Sequence, residues 1–258
     1  GVVNRSIKYT WESIKDNIID ELRKDHEVDI AIFNNNVEDT LVDGVRLNNN
    51  DMSIIPYNSI FEHKQTVIDS FISKIPGSDR DLGGSFAGRN RRNALRQMYV
   101  EGQVAKFLTS ARDDYDYAVV TNGDYFYTDK LPLETFKMIK RGEIGTCTHR
   151  DCSGYTDGFY VGYVDDLVKV LQRINYYETM LTHFDSGLSS GHCGAMNYES
   201  FVKVAFDMHN ISRLKLDIRF AKLRADISMP FDVPVFKDFL FENHHRSDNY
   251  KLLYEQFS

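Results

Sequence analysis

The ten residues from Tyr115 to Asp124, YDYAVVTNGD, decide the fold. The apolar run over 115–121 is typical of a buried strand, and it stops abruptly at the polar triplet Asn122-Gly123-Asp124. A helical pattern over 93–112 leads directly into this run. A helix followed by a buried strand is half of the repeating unit of an α/β protein, so the stretch predicts a carboxylate at the end of a strand in a sheet of that class.

Helices and strands alternate on both sides of this stretch. Apolar residues at helical spacing predict further helices over 6–24, 60–75, 132–140, 165–173 and 198–209. Short apolar runs predict further strands over 28–33, 52–55, 144–148 and 159–164. The segment 213–224 fits either a helix or a strand. This alternation predicts an α/β fold with a mainly parallel central sheet and helices on both faces.

Length, charge and cysteine usage narrow the class of protein. A chain of 258 residues is expected to form one domain. Its formal net charge of −7 lacks the basic footprint of a nucleic-acid-binding protein. Its apolar runs fall short of the roughly 18 residues of a membrane span. Three cysteines without paired spacing predict a reducing, cytoplasmic compartment. The chain starts with Gly1 rather than Met, which fits a chain trimmed of an upstream tag, segment or larger polypeptide.

The polar triplet after the central strand is the first candidate site. Ligands of open α/β sheets bind beyond the carboxyl ends of the strands, which is where Asn122 and Asp124 are expected. A divalent cation held by one or two carboxylates is a common way to bind a diphosphate. Gly123 would let the backbone approach such a ligand closely. The same triplet is equally typical of a simple turn.

A basic segment is the second candidate. Arg89, Arg91 and Arg92 precede Asn93 at the predicted start of a helix, and they form the dense positive cluster of an acidic chain. Guanidinium groups and the free N–H groups of a helix N-terminus suit a phosphate. Arg5, which also lies just before a helix, is a candidate for the same reason. A solvated loop is the alternative.

Three further polar residues are candidates for chemistry. Asp157 and Asp185 each lie close to a glycine, and a carboxylate there can orient a substrate hydroxyl or act as a general base. A turn or a helix cap is the alternative for both. His244 lies in the late run from Glu242 to Arg246, which can supply a metal ligand or a phosphate contact, or form a solvated tail.

The order of these features resembles the GT-A glycosyltransferases of large DNA viruses and bacterial surface-polysaccharide clusters. The likeness extends to about residue 165. It rests on GVVNRS at 1–6, the helix over 10–22, VDI at 28–30, the helix led by Asn93 with Gln97, and YDYAVVTNGD at 115–124.

The resemblance implies a fold, a reaction and a set of nucleotide contacts. It implies a single GT-A domain, with a nucleotide-binding part at about 1–130 and an acceptor-binding part at about 131–258. Such an enzyme transfers a hexose or pentose from a UDP-, GDP- or dTDP-sugar to a glycan or glycoprotein acceptor, with Mn²⁺ or Mg²⁺. When the basic segment is combined with the residues that the resemblance implies, the expected nucleotide contacts are Gly1, Arg5, Arg89, Arg92, Asn93, Gln97 and Asn122.

The resemblance also assigns the metal motif to Asn122 and Asp124. Because Asn122 replaces the first acid of the family's motif, Asp124 is expected to need a distant partner such as His244. The family's first strand would precede Gly1. In an inverting enzyme Asp157 is the first choice for the base and Asp185 the second, whereas a retaining enzyme needs no such base.

Two alternatives stay open beside the transferase. The incomplete acidic motif fits a catalytically inactive carbohydrate-binding protein of the same fold. A nucleotidyltransferase would also use a glycine-rich basic loop and a metal, although that class usually places the loop directly after the first strand.

Overall fold

The computed structural model describes residues 2–37, 41–79, 91–148, 151, 154–185, 197–229 and 234–258. They form a mixed α/β structure whose contacts separate into two compact units. The sheet unit comprises the described residues of His63–Thr121 and Glu134–Asp217, and the terminal unit those of Val2–Glu62, Asn122–Leu133 and Ile218–Ser258. Gly1 and Arg89 lie outside the described residues. No helix in the described ranges is long and apolar enough to cross a membrane.

The helices and strands are as follows in chain order. The α-helices are α1 (Ile7–Ile14), α2 (Asp20–Leu22), α3 (Gln65–Ile72), α4 (Arg92–Ser110), α5 (Leu133–Phe136), α6 (Val164–Leu171), α7 (Tyr177–Asp185), α8 (Tyr198–Met208), α9 (Pro234–Asn243) and α10 (Asp248–Phe257). The strands are β1 (Ala31–Asn36), β2 (Leu41–Val42), β3 (Val45–Arg46), β4 (Ser59–Lys64), β5 (Tyr117–Thr121), β6 (Tyr125–Tyr127), β7 (Glu143–Cys147), β8 (Phe159–Tyr163), β9 (Ser212–Leu216) and β10 (Phe220–Lys222).

The sheet unit is built on four strands in the order β5-β8-β7-β9. Strand β8 pairs antiparallel with both β5 and β7, and β7 pairs parallel with β9. Helix α4 packs against α6, and α8 packs against α6 and α7. The residues of β8 from Phe159 to Val161 are fully buried, which explains their continuous apolar run.

The prediction of a mainly parallel sheet is wrong for the described strands. Only one of the three pairings in the four-stranded sheet is parallel. The local apolar runs correctly indicated the buried strands β7 and β8, whereas β5 is a strand as predicted but is half-buried, because it lies at an edge of the sheet. An apolar run that is buried on both faces, however, does not indicate whether the adjacent strand is parallel or antiparallel. The parallel direction was predicted only from the alternation of helices and strands.

The terminal unit packs its helices around a short antiparallel pair. Strand β6 pairs with β10, with Phe126 opposite Ala221. A 3-10 turn (Val3–Arg5) leads into α1, and a π-helical turn (Lys15–Ile19) joins α1 to α2. In a separate pairing, β1 joins β4. The buried core around Phe126 contains Ala221, Leu223, Phe236, Leu240, Tyr250 and Leu253.

Candidate functional site

Asp124 lies at the centre of a charged cluster in the terminal unit. The cluster, called here the Asp124 cluster, consists of Arg5, Asp43, Asp124 and Lys222. Asp124 immediately precedes β6, and its carbonyl accepts a hydrogen bond from the Leu223 N–H at 2.9 Å. The short pairing of β6 with β10 thus places Lys222, the last residue of β10, near Asp124.

Two cations flank the Asp124 carboxylate. Asp124 is only 8% exposed. Its Oδ2 lies 3.6 Å from the Arg5 Nη1 and 3.6 Å from the Lys222 Nζ. These distances allow charge neutralisation but exceed the roughly 2.7–3.2 Å of a direct hydrogen bond. Arg5 and Lys222 therefore balance the charge of Asp124 while each keeps donors for other oxygen atoms.

The segment before Asp124 is a tight turn, which is the alternative that the sequence predicts for this triplet. The Tyr125 N–H donates to the Asn122 carbonyl at 3.3 Å, and the Thr10 hydroxyl donates to the Gly123 carbonyl at 2.5 Å. A Cβ atom at Gly123 would lie 3.2 Å from Val3 Cγ1, so the position favours glycine because the two segments pack closely. Asn122 is half-buried at the start of this turn.

Arg5 is held by a second carboxylate, that of Asp43. The Arg5 Nε donates to Asp43 Oδ2 at 2.6 Å, and Nη2 donates to Oδ1 at 2.7 Å. Asp43 lies in the turn between β2 and β3. Partial burial alone would raise the pKa of Asp43, but the hydrogen bonds from Arg5 and Ala225 and the nearby Arg5 charge lower it overall. Asp43 is therefore ionised at neutral pH.

His244 makes its contacts at the end of α9. Its Nδ1 lies 2.8 Å from the Phe241 carbonyl, and its ring stacks on Tyr254 with 4.7 Å between centroids. No group of three or more His, Cys, Asp or Glu side chains in the described ranges is arranged to hold a metal. The described partners of Asp124 are instead Arg5 and Lys222.

The predicted nucleotide contacts on α4 belong to the sheet unit. Arg92 and Asn93 are exposed in the first turn of α4. The Asn93 side-chain oxygen accepts a hydrogen bond from Arg96 at 2.7 Å, and Arg96 also binds Asp69 through two bonds of 2.7 Å. Gln97 turns instead to Glu101, to which its Nε2 donates at 2.9 Å.

Glu101 and Arg173 form a buried ion pair in the sheet unit. Arg173 is 1% exposed and Glu101 5% exposed, and the Arg173 Nη1 lies 2.5 Å from the Glu101 Oε2. The Arg173 Nη2 donates to the Tyr160 hydroxyl at 3.3 Å. Burial raises the pKa of Glu101, and the Arg173 charge opposes that rise. Burial also raises the pKa of Tyr160, so its hydroxyl stays protonated.

Asp157 is brought close to this buried pair. It is half-buried, and its negative charge contributes to raising the pKa of both Glu101 and Tyr160. The next residue, Gly158, has a φ of +77°, so the chain turns sharply into β8. Of the predicted site residues, Gln97 and Asp157 thus share one neighbourhood, that of Glu101. Asp185 is the last residue of α7.

The segment before Asp157 is fixed by Arg213. The guanidinium of Arg213 binds both oxygens of Asp151 at 2.6–2.7 Å and stacks over the Tyr155 ring at 4.6 Å. The Asp151 Oδ1 in turn accepts hydrogen bonds from the Thr156 backbone N–H at 3.2 Å and hydroxyl at 3.1 Å. This arrangement orders the residue that directly precedes Asp157.

Several residues of these clusters were not candidates from the sequence. Lys222 and Arg173 follow ordinary apolar segments, and nothing local links them to Asp124 or Glu101. Asp43 is different, because Asp43-Gly44 between two short extended segments is a recognisable hairpin turn. That signal places the carboxylate at a hairpin tip but does not reveal that Arg5 is its partner.

No protein-family model matches the chain, and no curated protein matches it.

Proposed function

We propose that the protein is a metal-assisted glycosyltransferase of the GT-A type, which transfers a sugar from a nucleotide-diphosphate donor to a glycan or glycoprotein acceptor. The observation that supports this most is the Asp124 cluster. It combines a largely buried carboxylate, a glycine turn that brings two backbone segments together, and two cations at 3.6 Å. This combination suits a ligand that carries a diphosphate and a divalent cation.

The two cations of the cluster, Arg5 and Lys222, are proposed to stabilise the diphosphate leaving group. When the bond between the anomeric carbon and the diphosphate oxygen breaks, its electron pair passes to the diphosphate, which gains negative charge. Arg5, which is held by Asp43, and the nearby Lys222 would stabilise this charge as it develops. Asp124 is buried, and Arg5 and Lys222 are half-buried, so the interactions of the two cations with the diphosphate are screened less than they would be in bulk water.

The side-chain oxygens of Asp124 and Asn122 are proposed to bind a hard divalent cation. The Asp124 carboxylate and the Asn122 amide oxygen are oxygen ligands of the kind that Mg²⁺ and Mn²⁺ prefer, and such ions are usually held by one or two carboxylates plus substrate phosphates. A bound cation would supply Lewis-acid stabilisation of the diphosphate. Asp124 and Asn122 are the residues proposed to hold it, with His244 as the more distant candidate.

Asp157 is proposed as the general base. Its carboxylate would accept the acceptor hydroxyl proton while the acceptor oxygen forms the new bond to the anomeric carbon, with inversion. Two features support this role. The residue lies on a segment ordered by Asp151 and Arg213, and it is half-buried beside the Glu101–Arg173 pair. The role of Asp157 is proposed from contacts within the sheet unit, and the role of Asp124 from contacts within the terminal unit.

Replacing Asp157 with Asn is expected to lower the turnover of transfer by about a hundredfold or more, because the amide cannot take up a proton. Donor affinity should change less than about threefold, since the base contacts the acceptor rather than the diphosphate. Release of nucleoside diphosphate gives the rate, and calorimetry gives donor affinity. Asp207→Asn, an exposed acid paired with Lys203 on α8, is the control. Wild-type turnover in Asp157→Asn would remove the base assignment.

A second candidate function is a non-catalytic protein that binds carbohydrate. The observation that favours it is the balance of charge at Asp124, whose described partners are already two cations. Such a protein would bind a glycan and release no nucleoside diphosphate from any sugar nucleotide. The rate assay with Mn²⁺ therefore separates the two candidates.

A further inference from the structure

The turn between β2 and β3 is shaped to present a carboxylate. Asp43 has a φ of +52° and Gly44 a φ of +77°, which is the left-handed pair of a two-residue hairpin turn. Aspartate and glycine are among the residues that adopt this conformation at low cost. The sequence at the hairpin tip thus fixes both the turn and the position of the Asp43 side chain.

The Asp43 carboxylate is anchored from two directions. On one side it accepts the two Arg5 bonds of 2.6 and 2.7 Å. On the other, its Oδ2 accepts the Ala225 backbone N–H at 3.1 Å. Ala225 follows the strand that carries Lys222, so the hairpin tip, Arg5 and the end of β10 are joined by one carboxylate.

The bonds to Asp43 determine which edge of Arg5 remains available. A guanidinium is a rigid plane with donors on fixed edges. Asp43 occupies the edge formed by Nε and Nη2, and the remaining Nη1 is the atom that lies 3.6 Å from the Asp124 Oδ2. Rotating the guanidinium to present another edge to Asp124 would break both short bonds to Asp43.

We propose that Asp43 is a positioning residue of the donor site, which holds Arg5 so that its Nη1 points toward Asp124 and the donor diphosphate. The proposal rests on the proposed function of the Asp124 cluster. Asp43 itself contacts no substrate and acts through Arg5. Preorganisation of this kind increases affinity because the ordering of the arginine side chain is completed before the ligand binds.

The test measures the affinity of the whole chain for UDP, GDP and dTDP, each with Mn²⁺, by calorimetry. Asp43→Asn keeps a side chain that tolerates positive φ but loses the charge of the carboxylate. It should weaken binding of the preferred nucleotide by about tenfold, the size expected when charged hydrogen bonds are lost. Asp43→Gly, which suits the turn equally well, should have the same effect and provides a second variant should the first fail to fold.

The chain offers a closely matched control for the Asp43 variants. Asp129 binds Arg219 with two side-chain bonds of 2.6 and 2.7 Å and also accepts the Arg219 backbone N–H at 2.8 Å, in the same unit. Asp129→Asn therefore removes the same kind of pair without touching Arg5, and nucleotide affinity should stay at the wild-type value.

A double-mutant cycle shows whether Asp43 acts through Arg5. Arg5→Lys keeps the charge but cannot make the two-pronged bond. In that background Asp43→Asn should weaken nucleotide binding by less than about twofold, because contacting residues are coupled and their effects do not add. A merely structural role would leave the two effects additive.

The outcomes separate this inference from the proposed function. Unchanged or tighter nucleotide binding by Asp43→Asn and Asp43→Gly, or fully additive effects with Arg5→Lys, would overturn the positioning role and leave the donor site in place. A wild-type protein that binds none of the three nucleotides would overturn the proposed function and the positioning role together.

Discussion

Replacing Asp124 with Asn is expected to abolish the metal-dependent part of donor binding and to lower the turnover of transfer by about a thousandfold, since the proposed cation would contribute several kcal/mol to stabilising the leaving group. The Asn side chain keeps the shape of Asp124 but lacks the charge that attracts a divalent cation. Arg5 and Lys222 remain, and they lose the carboxylate that lay 3.6 Å from each. Binding of the nucleotide without metal should therefore be retained or become tighter.

Loss of the metal-dependent binding while metal-free nucleotide binding is retained distinguishes this result from simple unfolding. Calorimetric titration of the nucleotide with and without Mn²⁺ measures both modes, and circular dichroism checks the fold. Asp129→Asn again serves as the control, because it removes an acid from the same unit. An Asp124→Asn protein that still binds nucleotide more tightly with Mn²⁺ than without it would disprove the metal assignment.

The second large effect is expected on stability, at Arg173. Replacing Arg173 with Met leaves the Glu101 carboxylate buried without its partner, and breaking a buried pair in this way costs about 3–5 kcal/mol. Replacing both residues, as Glu101→Leu with Arg173→Met, removes the uncompensated charge and should recover most of that loss. Urea denaturation of the three proteins gives the free energies of unfolding.

The pH dependence of the Arg173→Met protein provides an independent check. Burial raises the pKa of Glu101, and the substitution removes the charge that opposes the rise. A carboxyl group whose pKa is higher in the folded state binds more protons when folded, so stability falls as pH rises through the interval between the unfolded and folded pKa values. Arg173→Met should thus regain stability as the pH is lowered. A loss below about 1 kcal/mol at neutral pH would contradict a tightly coupled pair.

Much of the secondary structure could be predicted because the apolar spacing is strong where elements are well buried. The helix over 93–112 and the strand over 159–164 correspond to α4 and β8. The helix predicted over 60–75 begins as a strand, since the residues of β4 alternate between half-buried and exposed, a two-residue period that the longer pattern obscured. The strand predicted over 52–55 is wrong, because the Asn48 side chain caps a 3-10 helix over Asn49–Ile54.

The candidate site was predictable only where the signal was local. Asp124 could be found because a polar triplet ends an apolar strand. Its described partner Lys222 comes from a late segment whose two strands, β9 and β10, were not separated in the sequence. The pairing of Glu101 with Arg173 is likewise a product of packing between distant segments, which no local pattern encodes.

The central claim is that this chain binds a nucleotide sugar with a divalent cation, and a thermal-shift screen of UDP-, GDP- and dTDP-linked sugars with and without Mn²⁺ tests it most directly. We predict that one nucleotide class, only with metal present, raises the melting temperature by about 5–10 °C at saturating ligand, because a ligand that binds only the folded state stabilises it. The same shift should be absent in Asp124→Asn. No shift with any donor, with or without metal, would contradict the claim.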